Sequence, residues 1–199
     1  MEMKQYLEDS ARTAAKVELD KSLFEGDDSK LLHQCLDIVS GGGTADLVKR
    51  ALFYHDKKIA GRAANSMENL KNMSDYLEKN TVNLTADKVD ALHAALGIAS
   101  EAAEMMEEII NSCIENRPID KVNFREELGD VMWYEALGLR TIDSNFEEAG
   151  EINIAKLKKR YPEKFTSSDA LNRDMYGERI VLEKDDYSDE AIRIKEAGR

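Results

Sequence analysis

Glu101 and Glu104 form one acidic pair at i, i+3, Glu127 and Asp130 form a second, and 22 residues lie between them. On a helix, residues three apart are neighbours with Cβ atoms about 5–6 Å apart, so each pair presents two carboxylates on one face. Apolar residues that belong against a core flank both pairs: Ile98 and Met105 beside the first, Phe124, Leu128, Val131 and Met132 beside the second. Four carboxylates brought together repel one another, and without a counter-charge some stay protonated. A hard divalent cation supplies that charge most simply. An all-oxygen donor set, with no cysteine or histidine at ligand spacing, suits magnesium better than zinc. A di-iron carboxylate bundle needs Glu-x-x-His pairs, and neither pair here contains histidine. Acids at i, i+3 also line ordinary solvated helix faces, and 34% of the chain is charged, so spacing alone leaves both readings standing.

A basic face lies further along. In Asn153-Ile-Ala-Lys156-Leu-Lys158-Lys159-Arg160-Tyr161-Pro162, four of the five residues from Lys156 to Arg160 are basic. Asn153 and Lys156 are i, i+3, and Lys156 and Arg160 are i, i+4, so one face offers an amide, an ammonium and a guanidinium. That set suits a polyphosphate. A basic last turn also complements the helix dipole. Beside a carboxylate cluster the face gains a second meaning, because metal plus cation is how a site binds and polarises a phosphoanhydride. Tyr134 stands one turn after Asp130 and reads as a pocket wall. Trp133 points about 100° away around a helix and reads as core, and His93 as a core or surface histidine.

The elements that must position these groups are helical. The chain has 199 residues and only two prolines, far below ordinary usage. Periodicity predicts helices over Met3 to about Phe24, Lys30 to about Val39, Ala45 to Tyr54 and Ala60 to Glu78, with Gly41, Gly42 and Gly43 breaking the second and Asn80 to Leu84 as a linker. Thr85 is a candidate N-cap for a long helix to about Glu115, and Asp120 for one to about Leu139. A third runs up to Pro162 from a Ser144/Glu147 capping box, and Thr166 with Asp169 repeats that signature. No strand alternation is sustained, so the expected class is all-α. Leu32, His33, Leu36, Ile38 and Ser40 recur sixty residues on as Leu92, His93, Leu96, Ile98 and Ser100, with Gly41 and Thr44 where Glu101 and Glu104 stand. Either residues 26–84 hold a degenerate copy that has lost its acids, or two amphipathic helices simply look alike.

Net charge is −12, from 28 basic and 40 acidic residues. Such a surface repels polyanions, so neither a nucleic-acid polymer nor a membrane is an expected partner. Cys35 and Cys113 do not suggest a disulfide scaffold, and no run of 18 apolar residues suggests a span. A soluble, cytoplasmic protein is the expectation.

Three blocks, Gly97-Ile-Ala-Ser-Glu101-Ala-Ala-Glu104-Met, Glu127-Leu-Gly-Asp130-Val-Met-Trp-Tyr134 and Asn153 to Pro162, resemble the MazG-like all-α nucleoside triphosphate pyrophosphohydrolases in order and spacing, the phage and bacterial branch most closely. The resemblance spans about Ala91 to Phe165. It implies a four-helix-bundle core with additional N-terminal helices, and hydrolysis of a (deoxy)nucleoside triphosphate to monophosphate and pyrophosphate with magnesium or manganese. It implies metal-ligand and catalytic roles for Glu101, Glu104, Glu127 and Asp130, and substrate contacts for Tyr134, Asn153, Lys156 and Arg160. It sets out residues 1–84 as an N-terminal helical region whose first helix joins the core and whose residues 26–84 are an insertion relative to compact members, 85–165 as the catalytic core, and 166–199 as a C-terminal helix and charged tail. The family's opening helix is similar to Tyr6, Arg12 and Thr13 here. Relatives assemble as dimers or tetramers, so a homo-oligomer is implied, or a pseudo-dimeric monomer if residues 26–84 are a copy of the core. A dUTP-specific, phosphoribosyl-ATP or alarmone hydrolase, and a non-catalytic helical interaction protein, are the alternatives.

Overall fold

The computed structural model describes residues 2–13, 27–54, 56 and 58–183. The expected continuation of the first helix to Phe24 and the charged tail lie outside these. Among the described residues the protein is all-α: α1 (Met3–Thr13), α2 (Asp28–Gln34), α3 (Leu36–Tyr54), α4 (Ile59–Lys79), α5 (Ala86–Ile114), α6 (Lys121–Thr141), α7 (Phe146–Arg160), α8 (Ser167–Leu171) and α9 (Met175–Glu183). No helix among them is long and apolar enough to cross a membrane. The chain divides into two compact units, Met1–Gly41 with Met67–Phe146, and Gly42–Ser66 with Glu147–Arg199.

Local chemistry sets several boundaries. Asp27 caps α2 by accepting from the Ser29 amide, and Asp120 caps α6 by accepting from the amides of Val122 and Asn123. Thr166 caps α8 by accepting from Asp169 N. Thr85 holds the N-cap position of α5 without a side-chain cap bond. The glycine run does not break its helix as expected: the chain turns at Cys35 instead, and α3 continues through Gly41, Gly42 and Gly43. A helical glycine costs only about 1 kcal/mol relative to alanine, which tertiary contact can offset. Gly43 shows such a contact, since a Cβ there would stand 2.8 Å from Ser66 Oγ; the missing side chain lets α3 and α4 approach.

In the first unit, α5 and α6 pack as an antiparallel hairpin. Ala94 lies opposite Gly138, Gly97 opposite Tyr134, and Glu108 opposite Asp120. The turn is clamped. Arg117 donates from Nη1 and Nη2 to the two oxygens of Glu108 at 2.7 and 2.8 Å, and the Asp120 amide donates to Glu108 Oε1 at 2.6 Å. These bonds, the Arg117 guanidinium foremost, hold the Glu108 carboxyl down at about 2. Asn116 takes a left-handed φ of 49°, tolerable for asparagine where a helix ends.

The first helix lies on α6. Trp133 Nε1 donates to Thr13 Oγ1 at 2.7 Å, Arg140 Nη1 donates to Ser10 Oγ at 2.7 Å, and the Tyr6 hydroxyl reaches Gly129 O at 3.4 Å. The linker after α4 is tied down by buried groups at the start of α2. Ser29 Oγ donates to Asn80 O and accepts from Val82 N, and Asp28 accepts from Leu84 N.

In the second unit, Glu178 of α9 is 2% exposed. It accepts from Arg160 Nε and Nη2 at 2.9 and 2.6 Å, and from Arg173 Nη2 at 2.5 Å. The two guanidiniums, Arg160 first, hold its carboxyl at about 2. Phe165 packs between Tyr54 and Tyr161, with ring centroids 5.7 and 5.3 Å away.

Candidate metal centre and adjoining cavity

Antiparallel pairing of α5 and α6 brings the acids of the two helices together. Glu101, Glu127 and Asp130 each place a carboxylate oxygen within 4.8 Å of the others. Glu101 and Glu127 are buried and Asp130 is exposed, so the cluster sits at the lip of the hairpin with one side open to solvent. Glu104, one turn beyond Glu101, is exposed and stands outside this group of three. Its charge nevertheless reaches Glu127.

Glu127 carries the electrostatic signature of the cluster. Burial, first of all, pushes its carboxyl up to about 7; a hydrogen bond shared with Glu101 and the charges of Glu104, Glu101 and Glu126 add to the rise. A carboxylate that holds its proton near neutrality is one whose surroundings lack positive charge. The donors are all oxygen, from two helices, with one edge open. These residues fit a hard divalent cation, whose charge would let all three acids ionise.

One helical turn from the acids, on the same side of the hairpin, is a cavity of about 510 Å³. His93, Leu96, Gly97, Ala99 and Ser100 line it from α5, Tyr134 from α6, and Ile38 from α3. The Tyr134 ring lies directly on Gly97: a Cβ there would come within 2.2 Å of the ring carbons. Only glycine leaves room for the ring at that point. Tyr134 packs edge-on to His93 and Trp133, with centroids 5.7 and 5.0 Å away. Ser100 donates to Gly97 O at 2.8 Å and stands 3.3 Å from Glu101 Oε1, so the cavity adjoins the acid cluster. The Tyr6 hydroxyl, 3.4 Å from Gly129 O beside Asp130, has its pKa raised by burial and then by the charges of Asp130 and Glu135.

The remaining expected site residues belong to the second unit. Asn153 is exposed and Lys156 half-buried on α7. Arg160, at the end of that helix, is engaged by Glu178 and stacks within 5.7 Å of the Tyr161 ring centroid. With Arg173 on the same carboxylate, the group keeps two guanidiniums against one acid. Reading the sequence singled out Tyr134 but not Ile38 or Ser100. Ser100 is adjacent to Glu101, a signal of its place; Ile38 is more than fifty residues from any acid of the cluster, and its position in the sixty-residue repeat does not mark it as a cavity wall.

Fold and site together define a class: an all-α protein whose helical hairpin gathers an all-oxygen acidic cluster of a kind that fits a divalent cation. Residues 91–165 match the model of the MazG nucleotide pyrophosphohydrolase domain, the span over which the sequence resembles that family. The matched span contains the three acids, Glu104, Tyr134 and the basic face of α7. Neither a curated protein nor a solved structure matches the chain.

Proposed function

We propose that the protein hydrolyses a nucleoside or deoxynucleoside triphosphate to the monophosphate and pyrophosphate in a magnesium-dependent reaction. The observation that carries this reading is the convergence of Glu101, Glu127 and Asp130 within 4.8 Å, inside a span that matches a nucleotide pyrophosphohydrolase domain. These three side chains hold the cation. Magnesium, or manganese in its place, supplies Lewis acidity and offsets phosphate charge. Glu104, exposed and free of the group of three, is the carboxylate left to accept the proton of the attacking water. By the family resemblance, attack falls on the α-phosphorus and pyrophosphate leaves. Tyr134 and Gly97 form the flat wall against which the nucleoside ring rests. Asn153, Lys156 and Arg160 are the amide and cations suited to phosphate oxygens; the shared Glu178 orients Arg160 and, with Arg173 present, does not cancel the positive charge.

The fold also supports reading α2 to α4 as a diverged copy of α5 and α6. His33 Nε2 lies 2.9 Å from Ser74 Oγ, and His93 lies against Tyr134: both partners are displaced by the same sixty residues. A copy of this kind stands in for part of a second subunit, so a monomer or a low-order oligomer in a cytoplasmic setting is part of the proposal.

A panel of triphosphates assayed for pyrophosphate against orthophosphate release tests the activity. Magnesium-dependent pyrophosphate release supports it. Orthophosphate as the first product, or no turnover with magnesium or manganese, overturns it.

A further inference from the structure

The cavity beside the acids has a wall from outside the matched span. Ile38 belongs to α3, more than fifty residues before the start of residues 91–165, yet it lines the same cavity as Gly97, Ser100 and Tyr134. Its side chain is 43% exposed, so it caps an opening rather than filling a core. A second wall is the Tyr134 ring, which packs on Gly97 and edge-on to His93. Between them lies a space with an apolar rim, about one helical turn, or roughly 5.4 Å, from Glu101 along α5 and from Asp130 along α6. An apolar slot flanked by an aromatic ring suits a flat heterocycle, and its distance from the acids suits the ring of a molecule whose phosphates lie at them.

We propose that Ile38 is a specificity residue: it forms the movable-size wall of the slot that receives the nucleoside ring, so the segment outside the pyrophosphohydrolase domain sets which ring size the domain accepts. This rests on the functional reading above. An apolar wall acts by shape, and changing it by a few carbon atoms alters discrimination by about 10–200-fold. It has no bearing on groups that touch only phosphate.

The test compares Ile38→Ala and Ile38→Trp with the wild-type protein. Each is assayed for kcat/KM with a purine and a pyrimidine triphosphate, and for inhibition by inorganic tripolyphosphate, which carries no ring. Because Ile38 is partly exposed, both variants are expected to fold, and helical circular dichroism checks it. In Ile38→Trp the purine-to-pyrimidine ratio should fall, in Ile38→Ala it should rise, and the two variants should differ by at least about tenfold. The difference should lie mainly in KM, with tripolyphosphate inhibition unchanged. An unchanged ratio in both variants overturns the proposal while leaving the enzyme assignment standing. Tripolyphosphate inhibition that changes in step with nucleotide KM also overturns it, because Ile38 would then act on the phosphate site. A wild-type protein inert toward every triphosphate overturns the functional reading itself, and this proposal with it.

Discussion

Replacing Gly97 by alanine tests the packing that fixes the cavity. The added methyl would stand 2.2 Å from Tyr134 Cδ1 and Cε1, against the 3.4–4 Å of ordinary contact. One side must give by at least about 1.2 Å, which a packed interior absorbs at a typical cost of about 1–3 kcal/mol. The Tyr134 ring has little freedom to yield, because it packs edge-on to both Trp133 and His93, and Trp133 is in turn bonded to Thr13. For a chain of this size, 1 kcal/mol shifts Tm by about 2–4 °C, so Gly97→Ala should lower Tm by roughly 2–12 °C. Thermal melts followed by circular dichroism measure this. The decisive control is the same change in a Tyr134→Ala background. With the ring gone, the methyl meets no obstacle and only helix propensity remains, which favours alanine by about 0.5–1 kcal/mol. The sign of the Gly97→Ala effect should therefore reverse. An equal cost in both backgrounds, or a stabilised single variant, would refute the assigned contact.

Four further outcomes follow from the same geometry. Glu127 holds its proton up to about 7 against the ordinary 4.5, so its contribution to stability is full below about 4.5 and is lost as pH rises through 7. Tm of the metal-free protein should fall over that window, magnesium should restore it, and Glu127→Gln should abolish both effects; a magnesium response no greater than matched ionic strength would count against a metal site. Asp130→Asn should eliminate metal-dependent pyrophosphate release while the helical circular dichroism is kept, and full retained turnover would remove Asp130 from the site. Glu178→Gln removes the buried acid that two half-buried guanidiniums share and should cost about 1–3 kcal/mol, read as a lowered denaturation midpoint; an unchanged midpoint would show the ion pairs to be ornamental. Glu108 has its carboxyl depressed to about 2, so the stability it gives is present above about 4.5 and lost as pH falls toward 2. Glu108→Gln should flatten that acid limb of the Tm profile, and an unaltered limb would refute the clamp.

Much of the site was legible because its information is local. Acids at i, i+3 on two apolar-backed helices can be read without coordinates, as can the Asp120 and Thr166 caps, since each depends on residues two or three positions away. What escaped depends on distant partners. Nothing near Glu178 or Arg160 announces that they meet, and nothing near Ile38 announces a cavity built from α5 and α6. The glycine run misled for the same reason: three glycines in a row weaken a helix locally, but Gly43 is opposite Ser66, and a contact from another helix decides the outcome. Glu104 marks the boundary between the two kinds of information. Its spacing from Glu101 is the same as that of Asp130 from Glu127, yet the side chains gather as three and not four, because facing geometry across a hairpin is not symmetric.

The clamp at the turn works as a ruler. Glu108 lies seven residues after Glu101, and Asp120 lies seven residues before Glu127, so two arms of equal length, about 10.5 Å each, run from one fixed joint to the two buried acids. The residues between the arms, 109–119, set only how the joint is closed. Evolution or design can therefore vary residues 115–119 in length while Arg117 is kept, whereas inserting a single residue within either arm would swing its glutamate about 100° around the helix and dissolve the cluster without unfolding the hairpin.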